Sequence, residues 1–221
     1  MTLKERYGGV LRWFEDNMPV AESELTFDNP YQLIVAVILS AQCTDKRVNM
    51  VTPPFFERFP TPLSLSEASW EEVFEYISSV SYPNNKSRHL VGMAKMLVEE
   101  FGSLVPDSVE NLQRLPGVGR KSANVVASVI YGKPVIAVDT HVFRVARRVG
   151  LSKRDTPLGV ENDLTHNIPE ERRAIAHHWL ILHGRYVCVA RKPRCTECGL
   201  RPYCLYHHIS SRTNLHEGSA C

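Results

Sequence analysis

The chain has 221 residues, 43% of them hydrophobic and 23% charged, with a formal net charge of +2. A chain of this length buries an ordinary core without disulfides, and its longest apolar run, residues 33–39, is too short for a bilayer, which excludes a membrane-spanning or a disulfide-stapled secreted class. The near-neutral total hides a division: residues 1–110 carry 9 Lys+Arg against 16 Asp+Glu and residues 111–221 carry 17 against 8, which is −7 against +9. A basic C-terminal half suits a polyanion, because phosphate contacts come from Lys and Arg gathered on one face. No signal peptide opens the chain, and a soluble, cytoplasmic protein is expected.

Taken in order, the apolar pattern is helical nearly throughout. Helix spacing joins Leu33, Val37 and Ile38, then Leu90, Met93, Ala94 and Leu97, then Val125, Val126, Val129 and Ile130. Turn formers break it at Pro53-Pro54, Pro60 to Pro62, Pro83-Asn84-Asn85, Pro106-Asp107, Pro116-Gly117 and Gly132-Lys133-Pro134. Val135-Ile136-Ala137-Val138 is the best strand candidate, but it is short and leads straight into Asp139-Thr140-His141, the start of a helix over 140–150. The expectation is an all-α protein. Only the tail from about Ser210 has the composition of a disordered segment.

Leu115-Pro116-Gly117-Val118-Gly119-Arg120-Lys121 links two helices, the second running to residue 131, in a helix–hairpin–helix pattern. Two glycines let the backbone turn sharply and approach a ligand, and the helix start behind them offers unpaired N–H groups to a phosphate. The same glycines also suit a plain interhelical turn, but Arg120 and Lys121 directly behind them favour DNA. Lys121 has two roles open to it: contact with phosphate, or attack by its amine on a sugar carbon. Asp139 likewise suits an N-cap, or a carboxylate that stabilises a developing cation or moves a proton. The sequence by itself leaves both choices open.

Cys188, Cys195, Cys198 and Cys204 stand in C-x6-C-x2-C-x5-C spacing in a chain that otherwise has only Cys43 and Cys221. Such bunching reads as a metal site in a reducing compartment; compact four-cysteine runs hold iron–sulfur clusters, whereas zinc more often takes two separated pairs. His177, His178 and His183 lie in an apolar helical stretch, where histidines serve packing and support more often than ligation.

Residues 115–127, Val138-Asp139-Thr140-His141, His177-His178-Trp179-Leu180-Ile181-Leu182-His183-Gly184-Arg185 and the cysteine run, in this order, resemble the endonuclease III family, iron–sulfur DNA glycosylases of the helix–hairpin–helix superfamily, over residues 5–206. The resemblance implies two helical domains with a DNA-binding cleft between them. Residues 22–132 would form a six-helix domain with the helix–hairpin–helix at about 108–131, residues 1–21 with 133–208 a cluster domain, and 209–221 a tail. It implies a [4Fe-4S] cluster on Cys188, Cys195, Cys198 and Cys204, with Lys121 as nucleophile and Asp139 as its catalytic carboxylate. The implied partner is double-stranded DNA carrying damaged pyrimidines or abasic sites, met by a monomer and without a membrane.

Such an enzyme must flip its nucleotide out of the duplex. The resemblance places Gln42, in Ser40-Ala41-Gln42, in the gap left behind, and Tyr82 as a wedge where the best-known members carry leucine. Gly117, Gly119, Arg120, Thr140, His141 and Arg144 are the further DNA contacts it implies, and Arg191 and Lys192 belong to a cationic loop read as a phosphate clamp. A mismatch adenine glycosylase would carry a catalytic glutamate where Ala36 stands, would lack the lysine at 121, and usually adds a C-terminal domain, whereas 17 residues follow Cys204. A non-enzymatic iron–sulfur DNA binder or redox sensor would not pair Lys121 with Asp139.

Overall fold

The computed structural model describes residues 1–209. The chain divides into two compact units, Met1–Glu22 with the chain from Pro134 onward, and Ser23–Lys133. Among the described residues the regular structure is all helical, and no helix is long and apolar enough to cross a membrane.

The Ser23–Lys133 unit is built around helix α2, Pro30–Ser40, whose residues Leu33 through Leu39 are all buried. Asn29 caps it by accepting from Gln32 N, and Pro30 occupies the first position, where a missing N–H does no harm. A helix apolar on every side needs neighbours on every side; α2 packs against α3 (Asp45–Arg58), α6 (Pro83–Phe101) and α8 (Arg120–Tyr131). Each fully buried aliphatic side chain on it contributes roughly 1.5–3 kcal/mol. The short helices α4 (Pro62–Ser66), α5 (Trp70–Ile77) and α7 (Val109–Arg114) complete the unit. That makes seven helical segments against the six implied by resemblance, because Thr61 and Ser64 cap each other and give α4 an existence of its own.

Pro53-Pro54, expected as a break, lies inside α3 instead. Both prolines are exposed, and the carbonyls they leave without donors, on Asn49 and Met50, are on half-buried or exposed residues that water can serve. Val51, Thr52 and Phe55 meanwhile hold the opposite face in the core. Pro83 ends a break by starting α6.

The other unit packs α1 (Leu3–Asn17), α9 (Thr140–Val149), α10 (Pro157–Asn167) and α11 (Arg173–Tyr186) around Phe14 and Trp179, whose rings stack at 5.5 Å and 4°. Thr2 and Glu5 form a capping box at the start of α1. The segment 135–139 has no regular structure, so the strand candidate at 135–138 is a connector into α9, buried at Ile136, Ala137 and Val138. The chain after α11 carries the cysteines and closes in a helical turn at 205–209; the rest of the tail expected at 209–221 lies outside the described residues.

Candidate active site

The hairpin between α7 and α8 is anchored by Leu112, Leu115 and Val118, all buried. Val118 N donates to Leu115 O at 3.0 Å, with Pro116 second and Gly117 third in the turn at φ +81°, the residue order of a type II turn. Gly117 is required twice over, since a Cβ there would also lie 2.9 Å from His89 Cβ. Gly119 is different. Its φ of −85° suits any residue, and an added Cβ would meet nothing within 4 Å among the described residues. Neither dihedral nor packing among the described residues demands glycine there; glycine suits the N-cap and leaves the backbone open to close approach. Gly119 is the N-cap of α8 and brings no side chain to cap the helix; Arg120 and Lys121 follow, both exposed, in the first turn.

Asp139 is the N-cap of α9. Its Oδ1 accepts from His141 N and Val142 N, both at 2.8 Å, so the helix uses one carboxylate oxygen and not Oδ2. The buried residues Ile136, Ala137 and Val138 fix the approach, and the buried His177 donates from Nδ1 to Ala137 O at 2.9 Å. The N-cap role and the catalytic role are thus compatible. Thr140 is exposed at the first position of α9, and His141 is half-buried.

Arg144, expected as a DNA contact, is half-buried and bonded within its own unit. Its Nε donates to Cys188 O at 2.9 Å and its Nη2 to Gly184 O at 2.7 Å, while Nη2 also meets His141 Nδ1 at 3.2 Å. With those donors on backbone acceptors, Arg144 braces the start of the cysteine loop. Arg148 does the same one turn on, donating to Val189 O at 2.7 Å and Ala190 O at 2.9 Å and lying 3.6 Å from Cys188 Sγ. Neither brace was legible in the sequence, because the acceptors are carbonyls some forty residues away.

Cys188, Cys195, Cys198 and Cys204 line one pocket. Burial pushes the Cys198 thiol up to about 11, the neighbouring cysteines adding to the rise, and burial also raises Cys204. Four thiolates converging in this way are stable only around positive charge. Among the described residues no three His, Cys, Asp or Glu side chains are arranged around a single metal ion. The all-thiol donor set in this compact spacing fits a polynuclear cluster. His183, held neutral by burial that pulls it down to about 4, sets Nε2 at 3.5 Å from Cys198 Sγ, so this helix histidine supports the cavity wall. Arg191, Lys192 and Arg194 are exposed on the intervening loop, which Arg194 N closes on Val187 O at 3.0 Å.

Gln42 and Tyr82 sit on two loops of the Ser23–Lys133 unit, joined where Ser81 Oγ donates to Gln42 O at 2.7 Å. Tyr82 is 61% exposed. Four non-glycine residues among those described adopt left-handed φ: Gln42, Tyr82, Lys192 and Ser103. The first three are sequence-predicted DNA contacts. Such a conformation costs about 1–2 kcal/mol per residue and persists where function and surroundings impose it.

Residues 35–170 match the family model described as the HhH-GPD superfamily base excision DNA repair protein. The chain is 47% identical to endonuclease III of Rickettsia conorii over 90% of this chain and 94% of that one, and 46% identical to that of Bacillus subtilis over 86% and 87%. It is 41% identical to the Escherichia coli protein over 89% and 93%. A solved structure of a trapped endonuclease III–DNA covalent intermediate superposes with a TM-score of 0.91 at 41% identity, covering 96% of this chain and all of that one. A thermostable thymine-DNA glycosylase shares the fold at a TM-score of 0.81 and 19% identity over 94% of this chain and 97% of that one. With its hairpin, capped aspartate and four-cysteine cavity, the chain belongs to the endonuclease III family within the HhH-GPD superfamily of base excision DNA repair proteins.

Proposed function

We propose that this protein removes oxidised or saturated pyrimidines from duplex DNA through a Schiff base on Lys121 and then cuts the abasic strand by β-elimination. It is a DNA N-glycosylase and abasic-site lyase, and DNA is its partner. The observation that carries the finer reading is the exposed Lys121 in the first turn of α8, two residues beyond the second glycine of the hairpin.

The Lys121 amine attacks C1′ of the flipped nucleotide, and the N-glycosidic bond breaks with its electron pair leaving on the base, which takes up the proton that the amine gives up. Asp139, fixed through Oδ1, offers Oδ2 to the positive charge on the sugar. Opening of the sugar ring gives a Schiff base between Nζ and C1′. That imine acidifies C2′–H; loss of the proton expels the 3′ phosphate, and water releases the lysine. Gln42 and Tyr82 would fill the gap left by the flipped nucleotide, while Gly117, Gly119, Arg120, Thr140, His141, Arg191 and Lys192 would hold the backbone.

Cys188, Cys195, Cys198 and Cys204 would ligate a [4Fe-4S] cluster, whose contribution when bound is to fix the shape of the loop bearing Arg191 and Lys192. Iron analysis of anaerobically prepared protein checks this, and one zinc without iron would refute it. Purine release would ask for an acid where Ala36 stands, fully buried in α2 and without a carboxylate.

The test is an activity panel on duplexes with thymine glycol, dihydrouracil, 8-oxoguanine opposite cytosine, uracil, an abasic site, and adenine opposite 8-oxoguanine. Release of the first two with cleavage of the abasic duplex is expected. Release of adenine alone would overturn the reading.

A further inference from the structure

Lys86, in the first turn of α6, is 5% exposed, a rare place for an ammonium group. Its Nζ donates to Leu39 O and to Ala41 O, both at 2.7 Å. The first is one of the carbonyls that the end of α2 leaves without an intrahelical donor, at the negative end of the helix dipole. The second belongs to a turn. Cys43 N donates to Ser40 O at 3.0 Å across Ala41 at φ −58°, ψ 114° and Gln42 at φ +54°, which is type II geometry.

That turn has an alternative. In a type I turn the same four residues would have the peptide between Ala41 and Gln42 turned over and Gln42 at negative φ, where glutamine is at ease. The direction of the Ala41 carbonyl separates the two forms, and that carbonyl is what Lys86 holds. A lysine suits the task because a compact ammonium carries several donors that two carbonyls can share. Gln42 O is held in turn by Ser81 Oγ at 2.7 Å, and the backbone N–H of Lys86 donates to Tyr82 O at 3.1 Å. One residue therefore ties together both strained loop positions, Gln42 and Tyr82.

We propose that Lys86 is a positioning residue for base extrusion: its ammonium holds the Ala41 carbonyl in the type II orientation, and so keeps Gln42 left-handed beside Tyr82. This rests on the assignment of Gln42 and Tyr82 to the gap vacated by the flipped nucleotide. Lys86 itself touches neither base nor sugar. Its removal frees the peptide to turn over, which swings the Gln42 side chain away from the position it needs.

The test is single-turnover kinetics of wild type, Lys86→Met, Gln42→Ala and the double variant on two substrates. One is a duplex with thymine glycol; the other is a single-stranded oligonucleotide with an abasic site, which has no base stack to fill. Lys86→Met is expected to slow base release from the duplex by about tenfold to a hundredfold, the penalty of a misplaced group, while strand cleavage on the single strand is unchanged. The double variant should be no slower than Gln42→Ala. Equal loss on both substrates, no loss on the duplex, or additive losses would overturn the proposal while the functional assignment stood. Wild-type protein inactive on the lesion duplex would overturn both. If Lys86→Met does not fold, Ser81→Ala unties the Gln42 carbonyl without opening the core; it should give the same selective loss in weaker form, and a wild-type duplex rate would overturn the proposal.

Discussion

Gly184 of α11 lies so close to His141 of α9 that a Cβ there would stand 2.9 Å from His141 Cβ and 3.1 Å from Val145 Cγ2. The same residue's carbonyl accepts from Arg144, so the helix that begins at Asp139 is set against α11 at a spacing only glycine allows. Gly184→Ala is expected to destabilise the protein by about 1–3 kcal/mol, the usual cost of forcing bulk into a packed contact. Base release should slow with it, because the shift reaches the N-terminal turn of α9. Denaturant unfolding followed by circular dichroism reads the first effect, and an unchanged midpoint would contradict it.

The cationic loop, its brace and the wedge should fail in different ways. Arg191→Ala and Lys192→Ala each remove a phosphate contact, so binding to damaged and undamaged duplex should weaken alike and the salt slope should fall by about one unit. Arg144→Met should lower stability and iron content with the salt slope unchanged, since its donors face Cys188 O and Gly184 O. Tyr82→Ala should cost roughly 1–3 kcal/mol on damaged duplex alone if its ring stacks on a base. Titrations on both duplexes at several salt concentrations separate the three, and equal losses for Tyr82→Ala on both duplexes would remove it from the wedge.

Tyr31 gives a dependence on alkaline pH. Its hydroxyl is buried and donates to Phe59 O at 3.0 Å, and burial holds it well above its ordinary value near 10. The folded protein keeps this proton while the unfolded chain loses it. The stability is therefore fully present below the unfolded value and falls as pH rises above it, by up to about 1.4 kcal/mol per pH unit. Tyr31→Phe should flatten that decline at a cost of about 1 kcal/mol at neutral pH. Urea unfolding at neutral pH and above pH 10 checks it, and identical slopes for the two proteins would contradict it.

How much of this was legible in the sequence depended on whether the partner was near. The hairpin, the start of α9 at Asp139 and the cysteine run are signalled by residue type at fixed short spacing, and each lies where those signals put it. Pro53-Pro54 misled because local propensity yields to burial: Val51, Thr52 and Phe55 hold α3 through two missing N–H groups. Arg144 came with the resemblance as a DNA contact; its bonds to Cys188 O and Gly184 O were invisible because those acceptors are 44 and 40 residues away. Lys86 gave no signal at all, since its acceptors, Leu39 and Ala41, are 47 and 45 residues away. Positive φ at Gln42, Tyr82 and Lys192 was equally invisible, because none of the three is a residue that advertises it.

The central claim is that the Lys121 amine forms the covalent bond to DNA. Borohydride reduction during turnover on an abasic duplex tests it most directly, because it converts a Schiff base into a stable protein–DNA adduct visible by denaturing electrophoresis. Wild-type protein should give the adduct, and Lys121→Gln should give none while still binding the duplex, having lost the nucleophile and a single cation. Trapping by Lys121→Gln at the wild-type level would show that another amine does the chemistry.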